Sequence, residues 1–158
     1  IMPIAEENNI KLVAHPDDPP VKNMRGTARL FYRTEEYEKL LDLYDSPSNG
    51  FELCMGTVQE MEGSDLLDFL DKYSRLDRIG YIHYRNVIGK VPHYREAFVD
   101  EGDINMVKAL KILKNNNYDG IIVPDHTPEM SCDAAWHAGM AFAMGYLKGA
   151  MQSLEIDT

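Results

Sequence analysis

Four short apolar runs, each separated from the next by a helical pattern, constrain this chain more than any other feature of its sequence. They are Lys11-Leu12-Val13-Ala14-His15, Phe51-Glu52-Leu53-Cys54, Ile79-Gly80-Tyr81-Ile82-His83 and Gly120-Ile121-Ile122-Val123-Pro124. Three are apolar on both faces or nearly so, as expected of parallel strands covered by helices. Between the first two, Thr34 is a good N-cap, and Glu35 and Glu36 suit the first turn of a helix. Tyr37, Leu40, Leu41 and Tyr44 then share one helical face, and Ser46-Pro47-Ser48-Asn49-Gly50 ends it. Leu66, Leu67, Leu70 and Tyr73 repeat that spacing after Asp65. Asp103 is positioned to cap a third helix with Ile104, Val107, Leu110 and Leu113 facing inward, and the asparagine-rich run 115–120 stops it. A fourth helix is expected from about Ala134 to Leu154, with Met140, Met144 and Met151 as core filler. The order is a leading helix tail followed by β-α-β-α-β-α-β-α, an α/β fold with a parallel sheet and right-handed crossovers.

Length narrows the architecture. A (β/α)8 barrel takes roughly 250 residues, about 31 per unit, so four units with generous loops fill a 158-residue chain. The expectation is a single domain over 1–158 forming about half of a TIM barrel. Half a barrel leaves two open sheet edges and an uncovered interior, so another chain or an N-terminal segment should complete it, and a homo-oligomer is expected. The first residue is Ile1 rather than Met, which agrees with a start inside a longer protein. The other candidate, a small open α/β sheet, lacks a Gly-rich phosphate loop after the first strand.

Composition excludes several partner classes. The formal net charge is −10, with no cluster of Lys or Arg, which argues against nucleic acid and against an anionic membrane surface. No apolar run is long enough to span a bilayer, and the first residues form neither a signal nor a transit peptide. Two cysteines, Cys54 and Cys132, are too few for a disulfide framework, so a reducing, cytoplasmic setting is expected.

The chemistry lies at the strand ends. Each apolar run finishes at a residue able to bind metal: His15, Cys54, His83 and Asp125, each one βα unit from the next. Singly, each has an ordinary explanation as a core histidine or a small buried thiol. In a barrel, however, the C-terminal ends of the strands converge on one mouth. Two imidazoles, a thiolate and a carboxylate suit a borderline divalent ion such as Mn²⁺, Fe²⁺, Co²⁺ or Zn²⁺. Arg85 near that mouth is suited to gripping a carboxylate, and His126 to moving protons near neutral pH. Asp17 and Asp18 read as turn chemistry among three prolines, His93 as a solvated residue in a long loop, and Cys132 as an unreactive thiol.

His15-Pro16-Asp17-Asp18-Pro19-Pro20, Leu53-Cys54-x-Gly56, His83-x-Arg85-Asn86, Pro124-Asp125-His126 and Gly145-Tyr146-Leu147-x-Gly149 together resemble the mannonate dehydratase family. The resemblance spans nearly the whole chain but only the C-terminal half of such an enzyme. It implies a xylose-isomerase-like (β/α)8 barrel that dehydrates D-mannonate to 2-keto-3-deoxy-D-gluconate in hexuronate catabolism, with Mn²⁺ or Fe²⁺. It further implies that His15, Cys54, His83 and Asp125 are metal ligands and that His126 is an acid/base residue. Arg85 and Asn86 are expected to contact the sugar acid. Trp136-His137-Ala138-Gly139 departs from the Tyr-rich stretch of many members, so no tyrosine acid or base is assigned. Two other readings remain: a metal-dependent sugar isomerase or epimerase of the same barrel class, and a catalytically silent metal-binding domain.

Overall fold

In the computed structural model, which describes residues 1–156, the four apolar runs become one parallel sheet. The elements in chain order are α1 (Met2–Glu7), β1 (Leu12–Ala14), β2 (Asn23–Met24), β3 (Thr27–Ala28), α2 (Glu35–Leu43), β4 (Asn49–Cys54) and α3 (Met55–Glu60). There follow α4 (Leu66–Arg75), β5 (Ile79–His83), β6 (Asn86–Lys90), β7 (His93–Ala97), α5 (Met106–Asn115), β8 (Ile121–Val123) and α6 (Ala135–Ser153). The sheet order is β1-β4-β5-β8, all parallel. Each crossover therefore steps in the same direction across the sheet. Right-handed crossovers that never reverse direction put every connecting helix on one face. A doubly wound sheet reverses at a switch point and covers both faces. The arrangement is the singly wound α/β order of a TIM-type barrel, with four units present.

The helix-covered face holds the core. Phe51, Leu53 and Ile82 are fully buried there with Tyr37, Leu70 and Leu110. Ring centroids of Tyr37 and Phe51 lie 4.9 Å apart, Phe51 and Tyr73 5.1 Å, and Phe69 and Tyr73 4.6 Å, within the range where aromatic pairs attract beyond simple burial. Alternation along β4 sends Glu52 and Cys54 to the opposite face. Cys54 and His83 are register partners at the ends of β4 and β5.

Several local expectations are corrected. Thr34 has helical backbone angles and its hydroxyl makes no capping bond; instead the amides of Glu36 and Tyr37 donate to the carbonyls of Arg33 and Thr34. Asn105, not Asp103, caps α5 by accepting from the Lys108 amide, while Asp103 accepts from Gly89 N–H at 2.8 Å. Met144 is 43% exposed, because α6 buries Gly139, Ala143, Leu147 and Ala150 instead. His93 is exposed as expected but opens β7, which pairs antiparallel with β6. Gly89 makes that ribbon possible: its φ is +87°, and a Cβ there would lie 2.5 Å from the His93 carbonyl oxygen. No helix among the described residues is long and apolar enough to cross a membrane.

Candidate metal centre

His15 lies one residue beyond β1, while Cys54 and His83 are the last residues of β4 and β5. Parallel strands in register bring these ends side by side. One ligating atom from each of the three residues falls within 4.8 Å of the others. The His15 and His83 ring centroids are 5.3 Å apart. The His15 Nδ1 is 2.6 Å from the Pro16 carbonyl oxygen. A carbonyl only accepts, so Nδ1 carries a hydrogen and Nε2 is the nitrogen left to face an ion.

Asp125 stands just outside that trio. Its Oδ2 is 3.5 Å from His83 Nδ1, 3.4 Å from Arg85 Nε and 3.3 Å from His126 Nε2. Its backbone is left-handed, with φ +66°, a conformation that turns the chain sharply just after β8. His126 is 41% exposed, and its Nδ1 lies 2.7 Å from Glu96 Oε2 on β7.

The charges are strongly coupled. Burial alone would push the Cys54 thiol up, but hydrogen bonds with His15 and His83 and the Arg85 charge outweigh it, bringing it down to about 5. The hydrogen bond with Cys54 and the Glu52 charge raise His15 to about 9 against the opposing effect of burial. Burial raises Glu52 to about 7 and Glu60 to about 8. The hydrogen bond with Glu96 raises His126. A sulfur held as thiolate between imidazoles is a ready ligand for a divalent metal. The His83 Nδ1 and Glu52 Oε2 are buried without a hydrogen-bond partner, as expected where a cation belongs. Two imidazole nitrogens, a thiolate and a nearby carboxylate therefore fit a divalent ion.

Arg85 is drawn into this cluster rather than standing free at the mouth. It is 4% exposed. Its Nε donates to Cys54 Sγ at 3.3 Å, Nη1 to Glu60 at 3.2 Å, and Nη2 to Thr57 at 3.0 Å and to Asp18. Asn86, expected to contact the sugar acid, lies in the framework behind the cluster. It is 1% exposed, its amide donates to the Val99 and Ile104 carbonyls, and its oxygen accepts from the Val87 and Ile104 amides. Of the two aspartates in the proline-rich loop, Asp17 serves no local turn but ties the loop to a distant segment, accepting from the Leu30 and Phe31 amides and pairing with Arg29. Asp18 instead joins the Arg85 cluster. Glu52, Glu60 and Glu96 were not singled out from the sequence. Glu52 alone had a visible signal, as the one charge inside an apolar strand run; Glu60 and Glu96 reach the cluster only through folding. Cys132 is exposed and unpaired in a disulfide.

A family model described as D-mannonate dehydratase (UxuA) matches residues 1–157. The mannonate dehydratase of Lactococcus lactis subsp. cremoris (strain MG1363) is 33% identical over 165 aligned residues, covering 98% of this chain and 46% of that protein. The crystal structure of mannonate dehydratase from Streptococcus suis serotype 2 superposes with a TM-score of 0.82 at 28% identity, covering 99% of this chain and 48% of the other. A D-tagatose 3-epimerase-like protein shares the fold, with a TM-score of 0.68 at 21% identity over 97% of this chain and 51% of the other. The chain spans about half the length of these relatives. With residues 1–157 matched and the same architecture at its centre, the chain belongs to the D-mannonate dehydratase family.

Proposed function

We propose that this chain is the C-terminal, metal-bearing half of a (β/α)8 lyase that converts D-mannonate to 2-keto-3-deoxy-D-gluconate and water in hexuronate catabolism. The observation that carries the reading is the meeting of His15, Cys54 and His83 at adjacent strand ends, in a chain of this family. His15, Cys54 and His83, with Asp125 beside His83, would hold Mn²⁺ or Fe²⁺. The cation would supply positive charge to stabilise the negative charge developing on the acid and its 2-hydroxyl as the C2 proton leaves.

The remaining roles fall to protein side chains. Loss of water breaks the C3–O bond, and the departing hydroxyl needs a proton. His126 is suited to one of the two proton transfers: Glu96 engages Nδ1, Nε2 lies on the side of Asp125 at 3.3 Å from its Oδ2, and the ring is solvent-accessible. The resulting enol becomes the 2-keto acid by taking a proton at C3 and releasing the proton of its 2-hydroxyl, without a redox cofactor. Arg85 would meet the substrate carboxylate only by exchanging it for Asp18. The free cysteines fit a reducing, cytoplasmic setting, and the completing half-barrel would come from an N-terminal segment or a second chain.

The test is a product assay on the complete polypeptide loaded with Mn²⁺ and supplied with D-mannonate. Formation of a 2-keto-3-deoxy acid supports the reading. Epimerised or isomerised sugar without loss of water would move the chain to the isomerase class. Stoichiometric metal without turnover of any aldonic acid would make it a silent metal-binding domain.

A further inference from the structure

Glu52 is the one charged side chain of β4, and it is buried, with 1% of it exposed. A carboxylate so placed is costly unless a cation or hydrogen bonds compensate it. Its Oε1 accepts from the His83 amide at 3.2 Å and lies 3.2 Å from His83 Nδ1. Its Oε2 has no hydrogen-bond partner and lies 3.2 Å from His15 Nε2, the nitrogen left to face an ion. Among the described residues these two imidazoles are its only ion-pair partners. Arg85, the nearby permanent cation, is engaged by Asp18 and Glu60.

These contacts change their meaning once the histidines serve as ligands. An imidazole that binds a metal is neutral and turns a lone pair to the ion, so neither ring then compensates the carboxylate. The cation left to Glu52 is the ion itself. The spacing agrees. Neighbouring donors around an ion with bonds of about 2.1 Å lie about 3.0–3.5 Å apart, and each Glu52 oxygen is 3.2 Å from an imidazole nitrogen. Resting on the metal reading above, we propose that Glu52 is a direct ligand of the divalent ion, a carboxylate donor beside His15, Cys54, His83 and Asp125. Glu52 and Cys54 are two residues apart and share one face of β4, so a single strand delivers a carboxylate and a thiolate to the same pair of imidazoles. The added oxygen also biases the site, because carboxylate donors suit Mn²⁺ whereas thiolate and imidazole suit Zn²⁺.

Calorimetric titration of the complete, metal-free polypeptide with Mn²⁺ and separately with Zn²⁺ tests this, beside a urea unfolding curve that shows each variant to be folded. The E52Q substitution keeps the shape and removes the charge. It is expected to weaken Mn²⁺ binding at least about tenfold, the least that losing even a supporting group behind a ligand costs, and to weaken Zn²⁺ binding markedly less. Wild-type Mn²⁺ affinity in folded E52Q overturns the proposal. Equal losses for the two ions overturn it as well, because they would make Glu52 a group that holds the imidazoles rather than a donor to the ion. Should E52Q not fold, E52D carries the same comparison, since its shorter arm withdraws the oxygens from the imidazole nitrogens; an unchanged preference between the two ions there overturns the proposal equally. The underlying metal reading fails separately, if the wild-type protein binds neither ion.

Discussion

The Arg85 guanidinium lies among the Cys54 sulfur, Glu60, Asp18 and Thr57. The Glu60 side chain is fully buried, and Arg85→Ala removes the cation that Glu60, Asp18 and the Cys54 sulfur share. Breaking a buried pair from one side typically costs about 3–5 kcal/mol, and urea unfolding should register a loss of that order. A gentler route to the same site is Gly56→Ala. A Cβ at Gly56 would lie 2.8 Å from Arg85 Cγ and Cζ, and Arg85 is held too firmly to move aside freely. Overpacking of this kind is expected to cost about 1–3 kcal/mol, again read by urea unfolding. Among the proposed ligands, Cys54→Ser and His83→Ala should each lower metal content and turnover together, measured by elemental analysis beside the product assay. Full metal occupancy in either variant would remove that residue from the ligand set.

At the scale of elements, the β6–β7 ribbon connects the framework to the chemistry. Asn86 ties the start of β6 to Val99 and Ile104 through bonds of 3.0 Å, and β7 carries Glu96 to His126. Asn86→Ala leaves buried amide and carbonyl groups unpaired, at a cost of about 1–3 kcal/mol for each group left bare. The expected result is a less stable protein whose turnover falls while its Mn²⁺ content stays at the wild-type level, because the three proposed strand-end ligands do not depend on the ribbon. Loss of metal in parallel with turnover would tie the ribbon to the ligands instead. Helix entry offers a smaller comparison: Asn105→Ala should cost about 1 kcal/mol as the true cap of α5.

For the whole molecule, the edges decide. Among the described residues β1 pairs only with β4, and β8 only with β5, so each outer strand has an unpaired side. Ile121 on β8 is 68% exposed, although an isoleucine in a strand of this sheet belongs against a covering layer. Unpaired edges and bare apolar residues promote association. The 158-residue chain expressed alone should therefore sediment as a dimer or larger species and show no dehydratase turnover, while co-expression with a complementary half-barrel should restore both solubility and turnover. A soluble, active monomer of this length would reject the half-barrel reading.

Period and spacing alone determined that the sheet is parallel, that its strands follow one another in chain order and that their ends carry two histidines, a cysteine and an aspartate. These depend on local alternation and on the right-handed crossover, which act on any sequence of this pattern. The partners of Arg85, the framework role of Asn86, the Glu96–His126 pair and the two imidazoles around Glu52 were not legible in that way. They join side chains up to dozens of residues apart, and no periodicity encodes which carboxylate a buried cation will meet. The short ribbons were missed for a related reason: β2–β3 and β6–β7 have little apolar alternation, and pairing to a neighbour stabilises them more than any pattern of their own. Only the packed structure decides such contacts, because burial removes water as the competing partner and leaves each charge to the groups that folding brings beside it.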